Sequence, residues 1–309
     1  MADSQSPHLV SLGECLAELC RRTDGAFAAG YAGDAFNALF YASRLGLRTR
    51  FISALGNDLF TPMIAEGIER EGICTRWLAR LADRRNGIYF IETDAEGEYT
   101  FHFWRTGSAA TRTLRIFRPE SLLEAVAGAR FFLVTGIAVA VMEDRERLID
   151  LLRAARGCTT IVFDTNYRPA LWHGPEEYRE WLDRILPEVD LLLAGAGDLR
   201  AAFGGEQPEA LCTRLTEAGP QRIVLKDGAR GAGLISSGGT EWFPAPRTAV
   251  VDTTGAGDAF NAGFLSAAAA GLPDADCVAL GLRVAARVLG VRGAIDPAFG
   301  ITWEHPPFD

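Results

Sequence analysis

The chain has 309 residues, 48% of them hydrophobic and 23% charged, with a formal net charge of −9 and an isoelectric point near 5.1. This is the balance of a globule with a sizeable core, and its acidity excludes a sequence-independent grip on nucleic acid. No apolar run reaches the ~18 residues of a membrane span, and Met1 to Pro7 lacks the apolar stretch of a signal peptide.

Leu9-Val10-Ser11-Leu12 reads as an opening strand that ends in Gly13 and Glu14, and strand-like fragments with polar interruptions follow from Cys15 to Gly30. An apolar helix is predicted from Gly33 to about Leu45, with Asp34 as its cap. Phe51 to Gly56 reads as a buried strand, and Asn57-Asp58 opens a helix to about Glu69. The period changes to two at Gly87–Glu92 and Glu98–Trp104, which flank the turn Asp94-Ala95-Glu96-Gly97, so a hairpin is expected. An antiparallel insertion that helices do not wrap needs a cover on one face, either substrate or a partner subunit.

From about Arg130 strands and helices alternate. Strands are expected at Phe131–Val134, Thr160–Asp164, Asp190–Leu193, Arg222–Lys226 and Gly233–Ser236. Helices are expected near Arg118–Ala127, Glu143–Arg156, Glu176–Leu186, Pro208–Ala218, Ala256–Ala270 and Pro273–Leu289. Such alternation predicts an α/β domain with a parallel sheet covered on both faces. No repeat or linker divides the chain, so one domain is expected over residues 1–309.

The six cysteines (Cys15, Cys20, Cys74, Cys158, Cys212, Cys277) include no Cys-x-x-Cys pair and read as small core residues of a cytoplasmic protein. His8, His102, His173 and His305 are too scattered for a metal site. Lys226, the only lysine, lies between Leu225 and Asp227, which excludes a Gly-Lys-Ser/Thr phosphate loop.

The most informative stretch is Asp252-Thr253-Thr254-Gly255-Ala256-Gly257-Asp258-Ala259-Phe260. The apolar run Thr248–Val251 before it reads as a strand, and the glycines read as a tight turn into a helix. Glycine lets the backbone approach a ligand closely. The amides of Ala256, Gly257 and Asp258 then face outward at a helix N-terminus, which favours an anion. Asp258 sets a carboxylate beside that anion, where a base for an attacking hydroxyl belongs. A dinucleotide fingerprint is excluded, because Phe260 is too bulky for its third glycine.

This stretch, with Asn261-Ala262-Gly263-Phe264 after it, closely resembles the motif of the ribokinase-like (PfkB) carbohydrate kinases. The resemblance runs from about Leu9 to Ile295. It implies a three-layer α/β/α sandwich with a mainly parallel sheet, plus a small β-sheet lid from segments at about 14–32 and 86–106. It also implies ATP and Mg²⁺ as cofactors. Gly255, Ala256 and Gly257 match the family's anion hole and Asp258 its catalytic base. Gly33, Asp34 and Asn37 match its sugar-binding Gly-Asp-x-x-Asn pattern, with Asp34 and Asn37 on one helix face. Lys226 and the turn with Gly228 and Gly231 resemble its nucleotide loop, to which Gly255 and Gly257 also belong. Asp198 stands where many relatives carry a magnesium-linked acid, although Gly195 replaces the usual asparagine.

Tyr89 and the run Phe101-His102-Phe103-Trp104-Arg105 resemble the lid of the subfamily acting on 2-keto-3-deoxygluconate, with Phe103 where a tyrosine is usual. Arg105 and Arg168, the latter in Asp164-Thr165-Asn166-Tyr167-Arg168, match the arginines that hold the sugar acid there. Two guanidinium groups suit a carboxylate, whereas a neutral sugar is expected to leave one unpaired. The expected activity is ATP-dependent phosphorylation of a sugar acid at its C6 hydroxyl. The alternatives are a kinase of a neutral sugar such as fructose or ribose, and a sugar-binding regulator without catalysis. The lid implies a homodimer or higher homo-oligomer.

Overall fold

Alternate residues of the buried strands feed two separate cores, as the two-residue period of a strand requires. In the computed structural model, which describes residues 6–22, 24–93, 99–236, 239–301 and 303, Leu9, Phe131 and Leu133 join one core. Val10, Leu12, Phe132 and Val134 join the other. A strand buried on both faces reads as a continuous apolar run, as Phe131–Thr135 does.

The strands are β1 (Leu9–Leu12), β2 (Leu16–Arg21), β3 (Phe27–Ala32), β4 (Thr49–Leu55), β5 (Leu78–Arg80), β6 (Ile88–Thr93) and β7 (Tyr99–Trp104). They continue with β8 (Phe131–Thr135), β9 (Thr160–Asp164), β10 (Leu191–Gly195), β11 (Arg222–Lys226), β12 (Ala232–Ser236) and β13 (Gly239–Phe243). Nine form one sheet in the order β13-β12-β11-β10-β9-β8-β1-β4-β5. It is parallel except at β11–β12–β13, where the turns are too short for a crossover. Helices Asp34–Arg44, Ala256–Ala269 and Asp274–Leu289 pack on one face, and helices Arg145–Ala155 and Pro175–Ile185 on the other. The three layers are those the sequence predicts.

The remaining strands make a separate sheet, β3-β2-β6-β7, and this is the lid. β6 and β7 pair antiparallel with Tyr89 opposite Phe103 and Ile88 opposite Trp104. The predicted turn at 94–97 and His305 lie outside the described residues. Among the described residues, no helix is long and apolar enough to cross a membrane.

Several local expectations fail. Thr248–Val251 is no strand: it pairs with no strand among the described residues, and the amides of Val251 and Asp252 donate to the Leu289 carbonyl at the end of the last helix. Val250 and Val251 are 60% and 50% exposed. The second helix opens at Thr61, later than Asn57-Asp58, because the Asp58 carboxylate accepts from Phe60 N and Asn86 N and holds a loop. Asp34 is the first residue of its helix, and Gly33 rather than Asp34 stands at the cap. Of the cysteines only Cys15, Cys212 and Cys277 are buried, while Cys158 is exposed. Strands β5 and β13 and helices Gly136–Val141 and Ala196–Phe203 have no counterpart in the sequence prediction.

Candidate active site

The carboxyl ends of β1, β9, β10 and β11 open into a cleft of about 1870 Å³, closed from the other side by the lid. Ligands of open parallel sheets bind at this edge, where loops and helix N-termini leave polar groups uncovered. Every site residue expected from the sequence lines it: Gly33, Asp34, Asn37, Tyr89, Phe103, Arg105, Arg168, Asp198, Lys226, Gly228, Gly231 and the run Gly255–Asp258.

The glycine turn has the predicted form. Gly255 is left-handed, with φ 76°, and caps helix Ala256–Ala269. A Cβ there would lie 2.7 Å from the Ala294 carbonyl, so only glycine fits both the dihedral and the space. One detail differs from expectation. The Ala256 amide donates to the Thr253 carbonyl at 3.3 Å, so it is the Gly257 and Asp258 amides that lack a backbone acceptor among the described residues. Asp252 braces the turn by accepting from Thr254 N and Gly293 N, each at 2.8 Å.

Asp258, 9% exposed, accepts from Asn37 Nδ2 at 2.8 Å, and Gly33 N donates to Asn37 Oδ1. This joins the first long helix to the glycine turn. Burial, and then the nearby Asp34 carboxylate, push the Asp258 carboxyl up to about 8. Asp34 is raised too, mainly by burial; it accepts from Thr135 Oγ1 and from Asn166 Nδ2. Asn166 has φ 29°, unusual outside glycine, while its side-chain amide donates to Asp34 at 3.1 Å.

The two arginines are already partnered. Arg105 forms a buried ion pair with Glu14, and its guanidinium lies 4.2 Å from the centre of the Phe103 ring. Phe103 in turn stacks on Tyr89, whose hydroxyl donates to Glu18. Glu14 and Glu18 are both raised, chiefly by burial. Arg168 pairs with Asp198 at 3.4 Å. The expectation that a neutral sugar leaves an arginine unpaired is therefore corrected, since each has a carboxylate of its own.

At the far end, Lys226 Nζ donates to Asp164 Oδ1 at 3.0 Å and Asn261 Oδ1 at 2.9 Å. Asp198 accepts from Thr165 Oγ1 at 2.8 Å and its carboxyl is raised, first by burial and then by Asp164. Among the described residues no group of three His, Cys, Asp or Glu side chains can hold a metal. The absence of such a cage suits magnesium, which keeps waters and binds through substrate phosphates and one or two carboxylates.

Sequence reasoning missed Glu14, Thr135, Asp164, Asn166 and Asn261 as site members. Asp164, Asn166 and Asn261 lay inside motifs quoted for other residues. Thr135 gave only a weak signal, an N-cap before Gly136, and it does cap that helix through Ala138 N.

Comparison with known proteins shows the family. The model of the pfkB family carbohydrate kinases matches residues 6–299. The chain is 33% identical to a 2-dehydro-3-deoxygluconokinase of Escherichia coli K12, covering 94% of this chain and 98% of the relative. It is 35% identical to the enzyme of the same name from Dickeya dadantii, covering 94% and 97%. A PfkB protein from Polaromonas, known as a crystal structure, superposes with a TM-score of 0.80 at 27% identity, covering 94% and 97%. The glycine turn, the lid and these matches lead to one conclusion: the chain belongs to the pfkB family of carbohydrate kinases.

Proposed function

We propose that the protein is an ATP-dependent kinase that phosphorylates 2-keto-3-deoxygluconate on its C6 hydroxyl. One observation carries the reading: a buried carboxyl, Asp258, stands beside two acceptor-free amides at a helix N-terminus, on the wall of a cleft that a lid arginine also lines. The sugar hydroxyls pair with Asp34, Asn37 and the Gly33 backbone. Arg105, steadied by Glu14 and Phe103, and Arg168 hold the carboxylate end, with Tyr89 beneath it. Asp258 takes the proton of the attacking hydroxyl. The amides of Gly257 and Asp258 face the transferring group, where charge shifts during transfer. Lys226, Gly228, Gly231 and Gly255 line the ATP side. Asp198 would help to hold Mg²⁺ brought in with ATP, which would supply positive charge to the phosphates.

A second reading has its own support. With Arg105 and Arg168 already neutralised by Glu14 and Asp198, a neutral ketose or pentose meets no unpaired cation from either. ATP consumption against 2-keto-3-deoxygluconate, its galactonate epimer, fructose, ribose and a nucleoside separates the two. A strong preference for the keto-deoxy acids supports the first reading, and a preference for fructose or ribose replaces it with the second. The exposed lid residues Phe27 and Trp104 support pairing of two copies, which sedimentation tests.

A further inference from the structure

Of the 31 lysine and arginine residues only Lys226 is lysine, and it ends β11 inside the cleft. Its side chain is 15% exposed. Two of its three N–H donors go to Asp164 Oδ1 and Asn261 Oδ1. Asn261 Nδ2 donates to Asp164 Oδ2 at 2.6 Å, which closes a ring of three side chains. Asp164 and Asn261 are 3% and 1% exposed, so the ring is built into the core and does not drift with solvent. The third N–H has no protein acceptor among the described residues.

The position of that ammonium is specific. A Cβ placed on Gly257 would meet Lys226 Nζ at 3.9 Å. Asn261 lies four residues beyond Gly257 on the same helix, so one face of that helix sets both the turn and the ammonium. Two positive features, the helix N-terminus and the ammonium, thus face one small space, each with donors unused. An anion between them accepts from both.

We propose that Lys226 contacts the transferring phosphoryl group itself, opposite the amides of Gly257 and Asp258, and that Asp164 and Asn261 are positioning residues that aim it. The inference rests on the kinase reading above. A compact ammonium suits this place because the ring holds it by two short bonds, whereas the wider planar guanidinium does not fit the same two acceptors and still point at the turn. Contacts to oxygens that gain charge during transfer strengthen in the transition state, so the loss falls on kcat more than on KM.

Its being the only lysine makes the contact directly readable. An ATP carrying an acyl group on the γ-phosphate is the probe. The lysine amine attacks the acyl carbon and a C–N amide bond forms. The bond from the acyl carbon to the phosphate oxygen breaks, ATP leaves with the electron pair, and the amine proton passes to solvent. Peptide mapping is expected to find one internal acyl group, on Lys226, suppressed by excess MgATP. An unlabelled Lys226 overturns the proposal. Labelling needs no turnover, so it is separable from failure of the kinase reading, which shows as no ATP consumption with any sugar.

Kinetics give the second arm. Lys226→Met is expected to lower kcat about 10²–10³-fold with KM for ATP within about threefold, and Lys226→Arg is expected not to restore it. Asn261→Ala is expected to show the same kcat-against-KM split in weaker form. A Lys226→Met enzyme whose kcat stays within about fivefold of wild type overturns the proposal.

Discussion

Asn37 Nδ2 donates to Asp258 Oδ2 at 2.8 Å across 221 residues of sequence. The bond joins the helix proposed to hold the sugar to the turn proposed to hold the phosphoryl group, so the acceptor hydroxyl and its base are positioned by one contact.

If Asp258 is the base, Asp258→Asn keeps the shape and the Asn37 bond but cannot take a proton. Turnover is expected to fall about 10²–10⁴-fold, while calorimetry still detects both ligands at near wild-type affinity. Retained turnover refutes the assignment.

The pH dependence follows from the same carboxyl, pushed up to about 8 by burial and Asp34. The base form grows as pH rises, so kcat/KM is expected to climb from pH 6 and reach half its plateau near pH 8. Stability runs the opposite way. Between the ordinary aspartate value of 3.8 and about 8 the folded state binds the proton that the unfolded state has released, so this group costs stability as pH rises through that window. Melting temperatures of wild type and Asp258→Asn are expected to converge near pH 4, with the variant the more stable above pH 8. A variant less stable at high pH contradicts the shift.

Removing Arg105 leaves Glu14 buried without its cation, which is costly. Arg105→Ala is expected to lose about 3–5 kcal/mol of stability and about 10–150-fold in kcat/KM for a carboxylate sugar. Adding Glu14→Gln is expected to recover much of the stability by urea titration without recovering the preference for the acid. Recovery of both shows that Arg105 acts only through the fold.

Gly255→Ala must adopt a left-handed φ of 76° with its Cβ 2.7 Å from the Ala294 carbonyl. A loss of about 1–3 kcal/mol is expected, together with weaker ATP binding because the turn shifts. Unchanged denaturation and binding refute the close-approach account.

The three layers were legible in the sequence because their signals are local and periodic. Phe131–Val134 and Thr160–Asp164 are short apolar runs between amphipathic helices, and the structure differs from the predicted bounds by a residue or so. The glycine turn was legible for another reason: a left-handed dihedral and a close backbone approach admit almost no residue but glycine. Thr248–Val251 shows the limit of local signals. Its residues favour a strand, yet a strand needs a neighbour to accept its hydrogen bonds, and here the nearest acceptor is the Leu289 carbonyl.

The sequence by itself therefore determined the fold class, the glycine turn and part of the cleft lining, but not Glu14, Asp164 or Asn166. Tertiary structure alone decided how those residues are paired. Arg105 meets Glu14 across 91 residues, Arg168 meets Asp198 across 30, and Lys226 meets Asp164 across 62. Propensity and period act over a few residues, whereas an ion pair depends on which strand ends the sheet order sets side by side. That order placed carboxylates against the site's cations, and with them the charge that a substrate meets.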